Sequence, residues 1–181
     1  MAMPNTTFMP HTHNAHTCHT QCTHDHLSQF RLLVVASLAP PATGDGRNLL
    51  LATGALGFAS AIGMENNPLL VWAGRLRARW AGRADRITID RDDFVDATLP
   101  QPEPPIVVYL YLSRDTISAL APRLVCAYGS TKRTLVLSRD FEMPDGWGAP
   151  DHHLERGRTV LRAYRVPPPR RHLCAGEGQA G

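Results

Sequence analysis

Lysine is almost missing from this chain: of its 19 Lys and Arg residues, 18 are arginine and one is Lys132. So uniform a bias reads as the imprint of a GC-rich genome and not as a function. A nucleic-acid-binding face would need clustered basic residues with aromatics between them. The nearest candidate, Arg75, Arg77, Arg79, Arg83, Arg86 and Arg91, reads as a solvated helix face and its exit. No nucleic-acid partner is expected. Long apolar runs are missing too. The stretch Leu32 to Ala42 is broken by Ser37, Pro40 and Pro41, far short of the ~20 residues a bilayer span needs. No Gly-X-Y period or sustained heptad appears, which removes collagen and coiled coil.

Cysteine is sparse and scattered. Cys18 and Cys22 lie near the start, Cys126 in the body and Cys174 in a Gly-rich end. That is no disulfide framework, so a reducing compartment is expected and Cys126 reads as a packing residue. No basic segment precedes an apolar core near the start, and the first 30 residues hold no arginine. Secretory and mitochondrial leaders are therefore not expected, and the cytoplasm is. A mitochondrial location would require a different start. What is present suits one folded domain: 181 residues, 43% of them hydrophobic.

Composition divides the chain into three zones. Residues 1–30 form a His/Thr-rich head, residues 31–166 read as folded, and residues 167–181 open with three prolines and end Gly-rich, as a frayed tail would. In the head, His16, Cys18, His19, Cys22, His24 and His26 are zinc-type ligands, but their spacing matches no closed zinc site. Low-complexity Thr-His alternation is the preferred reading. No metal site is expected.

In the middle zone strand and helix patterns alternate. Arg31 to Ala39 is a continuous apolar run, as a buried parallel strand reads. A Gly-Asp-Gly turn follows, then a helix from Asn48 to Leu56 and a second strand from Ala59 to Met64. Asn67 is a good helix N-cap and Pro68 suits the first helical position, where its missing N–H costs nothing. Leu69, Trp72, Leu76 and Trp80 recur at helical spacing, which predicts the buried face of a second helix, with Arg75 and Arg79 outside. Further strands are expected at Arg86 to Ile89, Ile106 to Leu112, Thr134 to Ser138 and Thr159 to Val166, and a helix at Thr116 to Leu124. His152, His153 and Glu155 read as a polar loop. Such alternation predicts an α/β fold around a mostly parallel sheet.

Ligands of open α/β sheets bind beyond the carboxyl ends of the strands. Gly44, Asp45 and Gly46 fall at the end of the first strand, Glu65 at the second, and Asp92 and Asp93 at the third. Glu65 follows Gly46 at about the distance where nucleotide folds place the acid that grips a ribose diol. The turn lacks the third glycine of a dinucleotide fingerprint and carries an acid, Asp45. A pyrophosphate would be repelled there and a sulfonium ligand would not. The electrostatics favour S-adenosylmethionine over a nicotinamide cofactor.

Three segments carry a resemblance: Thr43-Gly44-Asp45-Gly46-Arg47, Gly63 to Val71 with its Glu65-Asn66-Asn67-Pro68, and Arg75 to Arg79. With Tyr109-Leu110-Tyr111-Leu112 and Val136 to Met143, they resemble small seven-strand (class I) S-adenosylmethionine-dependent methyltransferases. The nearest group is that of the lysine methyltransferases of the ATP synthase c-subunit and the adenine nucleotide translocase, with their bacterial relatives. The resemblance covers about residues 32–166. It implies a Rossmann-like three-layer fold and methyl transfer to a protein lysine. It also implies cofactor contacts at Gly44, Asp45, Gly46 and Glu65, with Asp93 or Asp92 accepting from the adenine amino group. Tyr111 and Asp140, at the ends of the fourth and fifth strands, are the expected amine-orienting residues. Two departures stand out. Pro40 and Ala42 occupy positions where the family has an acid and a glycine, and the His-rich head stands where the family has an N-terminal helix, as if the fold were truncated there. They support the alternative of a catalytically inactive binding module on the same fold.

Overall fold

The computed structural model describes residues 29–36, 46–93, 98–131, 133–169 and 174. Seven strands form one sheet: β1 (Arg31–Ala36), β2 (Ser60–Glu65), β3 (Ile87–Arg91), β4 (Ile106–Tyr111), β5 (Thr134–Arg139), β6 (His152–Arg156) and β7 (Thr159–Arg165). Their spatial order is β3-β2-β1-β4-β5-β7-β6. The pairs from β3 through β5 are parallel, whereas β7 runs antiparallel to both β5 and β6. All five parallel strands thus end on one edge, where Glu65, Arg91, Tyr111 and Arg139 close β2, β3, β4 and β5. The chain reverses direction across β1, so that edge holds the switch point at which α/β sheets bind ligands.

Three helices complete the layers: α1 (Arg47–Thr53), α2 (Pro68–Trp80) and α3 (Arg114–Tyr128). Leu49 and Ala52 of α1 and Val71 and Ala78 of α2 pack with Ala61, Ile87, Ile89 and Val107 on one face of the sheet. On the other face Ile117, Leu120, Leu124 and Tyr128 of α3 meet Val108, Leu110, Val136 and Tyr164. Three layers and a seven-strand sheet result, as expected.

Helix α2 begins where its sequence says it should. The Asn67 side chain accepts from the Leu69 N–H at 3.0 Å, and Pro68 occupies the first turn. Its buried side is the reverse of the expected one. Val71, Gly74 and Ala78 face the sheet, whereas Leu69, Trp72 and Trp80 are 74%, 65% and 77% exposed. The reason is clearance: a Cβ on Gly46, at the start of α1, would lie 3.1 Å from the Gly74 Cα. Only glycine and alanine fit so close to a neighbouring backbone, and a tryptophan on that side would displace the helix.

The arginine run is a solvated face only in part: Arg79 and Arg91 are exposed, but three of its members bind backbone. Arg75 donates twice to the Ile89 carbonyl (2.9 and 2.6 Å), Arg83 to the Thr53 carbonyl (2.7 Å) and Arg86 to the carbonyls of Ala59 (2.9 Å) and Phe58. These guanidiniums fasten α2 and its exit loop to β3, α1 and the loop before β2. Each such charged hydrogen bond is worth about 1.5–3 kcal/mol.

Two further expectations are corrected. His152 to Arg156 forms the edge strand β6, not a loop, pairing with β7 from His152↔Ala163 to Arg156↔Thr159. Every residue of β6 is exposed, so it carries no alternation to read. Cys126, expected only to pack, is bonded to Cys174, 48 residues away. Residues 1–28, with the His-rich head, lie outside the described residues. Among those described, no group of three metal-binding side chains occurs and no helix is long and apolar enough to cross a membrane.

The Cys126–Cys174 bond ties the chain beyond β7 to the far end of α3. Pro167 and Pro168 meanwhile line, with Ala121, Pro122 and Val125 of α3, a cavity of about 260 Å³. Closing a loop of that length removes conformations from the unfolded chain, typically worth about 2–4 kcal/mol. Cys174→Ser should lower stability by that amount in chemical denaturation, and a reductant should do the same to the parent chain alone. A Cys174→Ser variant as stable as the oxidised parent would contradict this.

Candidate functional site

Glu65 ends β2 with its side chain on the α1/α2 face, and only 5% of the residue is exposed. One carboxylate oxygen, Oε1, accepts the Asn67 N–H at 2.9 Å. The other, Oε2, is buried and has no hydrogen-bond donor among the described residues. A buried acceptor left unmade costs about 1–3 kcal/mol, more when charged. Such a group calls for a donor from outside the chain, and a ribose hydroxyl is one.

The other expected cofactor residues surround this point unequally. Gly46 caps the N-terminus of α1 at φ 80°, a conformation that glycine adopts without strain. A Cβ here would press on the Gly74 backbone, so this glycine serves the close approach of α2. Asp92 follows β3, and its N–H donates to the Glu65 carbonyl at 3.2 Å, so the ends of β2 and β3 are knit together. Asp92 Oδ1 accepts the Asp93 N–H at 3.0 Å, and both aspartates are exposed beside Glu65's strand. Gly44 and Asp45 lie outside the described residues, as do Pro40 and Ala42.

Tyr111 and Asp140 are brought to one place, but by a residue the sequence did not single out. Tyr109, Tyr111 and Arg139 project from neighbouring strands on the same face as Glu65. The Arg139 guanidinium lies 4.5 Å above the Tyr111 ring, with the Tyr109 hydroxyl close enough to feel its charge. Its Nε is 3.3 Å from Asp140 Oδ2. Burial pushes the Tyr109 hydroxyl above its ordinary range, and Arg139 partly offsets that rise. Tyr109 is therefore a neutral phenol at ordinary pH and no base.

Asp140 is bound at both ends. It sits at φ 66°, its N–H donates to the Val160 carbonyl (2.7 Å), and its Oδ1 accepts the Val160 N–H (3.0 Å). That pair of bonds clamps the end of β5 to β7. The geometry makes Asp140 a positioning group for Arg139, which in turn backs Tyr111. In a chain so rich in arginine nothing marked Arg139. The one available signal was the Tyr-x-Tyr spacing in β4, which puts two aromatics on one face.

The described half of the sheet thus presents a buried carboxylate with a spare acceptor, two exposed aspartates and an arginine-backed tyrosine along one edge. Sheet order, layers and site edge together define the class: the seven-strand S-adenosylmethionine-dependent methyltransferases. Residues 43–149 match the family model described as the ANTKMT methyltransferase domain, and the chain belongs to that family. No curated protein matches it.

Among solved structures it is similar to an RNA methyltransferase from Salinibacter ruber in complex with S-adenosyl-L-homocysteine. The identity is 23%, covering 82% of this chain and 88% of that one, with TM-score 0.61. A ribosomal protein L11 methylase from Lactobacillus delbrueckii subsp. bulgaricus is similar at 15% identity, covering 76% and 70%, with TM-score 0.54. The mitomycin 7-O-methyltransferase MmcR is similar at 15% identity, covering 80% and 51%, also with TM-score 0.54. These likenesses establish the fold. The names of these proteins point to RNA, a protein and a small molecule, so the fold does not choose the acceptor.

Arg139→Leu removes the charge that holds Tyr109's shift in check. Spectrophotometric titration, read as the difference between Arg139→Leu and Arg139→Leu with Tyr109→Phe, should place the Tyr109 phenolate at higher pH than in the parent. An unchanged or lower value would contradict the clamp.

Proposed function

We propose that this chain transfers a methyl group from S-adenosylmethionine to a lysine amine of a protein. The observation that carries the cofactor half is the buried, unpartnered Oε2 of Glu65. Membership in the ANTKMT family supports the lysine half.

When bound, the cofactor would supply an electrophilic methyl carbon on a sulfonium centre, open to in-line attack by a neutral amine. Glu65 would accept the ribose hydroxyl protons, one new bond satisfying Oε2. Asp93 or Asp92 would accept from the adenine amino group beside β3. Gly44, Asp45 and Gly46, in the turn that leads into α1, would bring backbone close to the cofactor. The remaining work is orientation and exclusion of water.

The groups near the acceptor fit that division. Tyr109 stays protonated, and Asp140 is committed to the Val160 backbone and to Arg139, so neither is a free base. None is required, because an amine entering an apolar pocket has its pKa lowered by desolvation. A fixed guanidinium nearby acts in the same direction, since it disfavours an ammonium ion. Tyr111, braced on one side by Arg139, offers a ring wall and a hydroxyl to orient the amine.

Incubation of the chain with methyl-labelled S-adenosylmethionine and a protein extract tests the reading. Acid hydrolysis of the labelled protein should release labelled methyllysine, and Tyr111→Ala should lower the yield at least about tenfold. Label recovered in RNA, or in an amino acid other than lysine, would overturn the lysine assignment.

A further inference from the structure

The outward side of α2 has no role in the fold or in methyl transfer, and its make-up is unusual for a solvated helix. Leu69, Trp72 and Trp80 stand out from it at 74%, 65% and 77% exposure, and the helical period places Leu76 between them. They form one ridge over the whole helix, opposite the buried Val71, Gly74 and Ala78. Arg79 flanks the ridge on one side and Arg77 on the other. Arg83 ties α2's exit to the Thr53 carbonyl at 2.7 Å, and Leu51 and Leu56, on either side of Thr53, are 53% and 44% exposed.

Charge on α2 itself has a single sign. From Pro68 to Ala84 the sequence holds four arginines (Arg75, Arg77, Arg79 and Arg83) and no acid. Arg75 and Arg83 donate to backbone carbonyls, and Arg79 is exposed beside Trp80. The nearest exposed acid in sequence is Asp85. On β3, Asp90 shares a cleft with Arg75 and Ala78, on the flank of α2 away from Trp72 and Trp80.

We propose that this face docks on an anionic lipid bilayer, with α2 lying in the plane of the headgroups. Three features select that occupant. The ridge is convex, so it suits a deformable apolar medium and offers no groove for a peptide. Its tips are tryptophan and leucine, the residues that interfacial helices insert at the boundary of headgroups and acyl chains. Its flanks are cationic, which matches anionic headgroups. An RNA would meet Leu69 and Leu76 alternating with the tryptophans along the ridge, where neither leucine offers a hydrogen bond or a stacking ring. Because α2 starts three residues after Glu65, docking would hold the cofactor edge of the sheet close to the membrane surface. The inference stands apart from the choice of methyl acceptor.

Co-sedimentation of the full chain with vesicles tests it. Equimolar phosphatidylglycerol and phosphatidylcholine should retain the chain, whereas phosphatidylcholine alone should not, and high salt should release it. Trp72→Ser combined with Trp80→Ser should cut the bound fraction at least about tenfold. Arg79→Glu should weaken binding several-fold through charge alone. All three side chains point to solvent, so circular dichroism and melting temperature should match the parent. Retention that ignores lipid charge or survives the double tryptophan variant would overturn the proposal. So would failure to bind the anionic vesicles. Self-association, or RNA binding, that the double variant abolishes in place of vesicle binding would also overturn it, assigning the face to a second copy or to nucleic acid.

Discussion

Helices α1 and α2 can lie where they do only because glycine stands where they touch each other and the sheet. A Cβ on Gly46 would come within 3.1 Å of Gly74, and one on Gly63 within 2.8 Å of the Leu49 side chain. A larger residue at Gly46 would push α1 and α2 apart, and one at Gly63 would displace the Leu49 side chain that packs on β2. The strand's last residue, Glu65, would then lose the cover that keeps its carboxylate 5% exposed. Burial is what gives Glu65 its character. In water its second oxygen would be satisfied by solvent, whereas under α1 and α2 it waits for a specific donor.

The same close packing explains why α2 turns its bulky side outward. Gly74 and Ala78 are needed against the sheet, and the large residues that helical periodicity assigns to a core are left facing solvent. The helix is held by Arg75 on the Ile89 carbonyl and by Arg83 and Arg86 at its exit, as well as by apolar burial. One structural demand, clearance at glycine, therefore accounts for the buried cofactor residue on one side and the exposed Trp-Leu ridge on the other.

What could be read from the sequence follows from which signals are local. Parallel strands buried on both faces are continuous apolar runs, so β1, β2, β4 and β5 were legible to within a few residues. Asn67-Pro68 marked the start of α2 for the same reason. The face of α2 was misread because a hydrophobic stripe reports amphipathicity but not which side has room. β6 escaped because an exposed edge strand has no pattern, and the Cys126–Cys174 bond because its partners are far apart in sequence. In the site, Glu65 and the Asp92-Asp93 pair were legible from their places at strand ends. Tyr111 was placed correctly at the end of β4. Asp140 takes the part of a clamp on Val160, and Arg139, which joins it to Tyr109 and Tyr111, depends on a contact between strands that spacing along one chain does not reveal.

The account rests on Glu65 being the carboxylate that holds the cofactor's ribose. Calorimetric titration of S-adenosylhomocysteine into the parent chain and into Glu65→Gln tests that directly. Glutamine keeps the size of the side chain and an acceptor for the Asn67 N–H, but loses the charged second oxygen. The account predicts saturable one-to-one binding to the parent and a loss of at least about tenfold in affinity in the variant, the equivalent of about 1.4 kcal/mol. Equal affinity in the two proteins, or no binding to the parent, would contradict it.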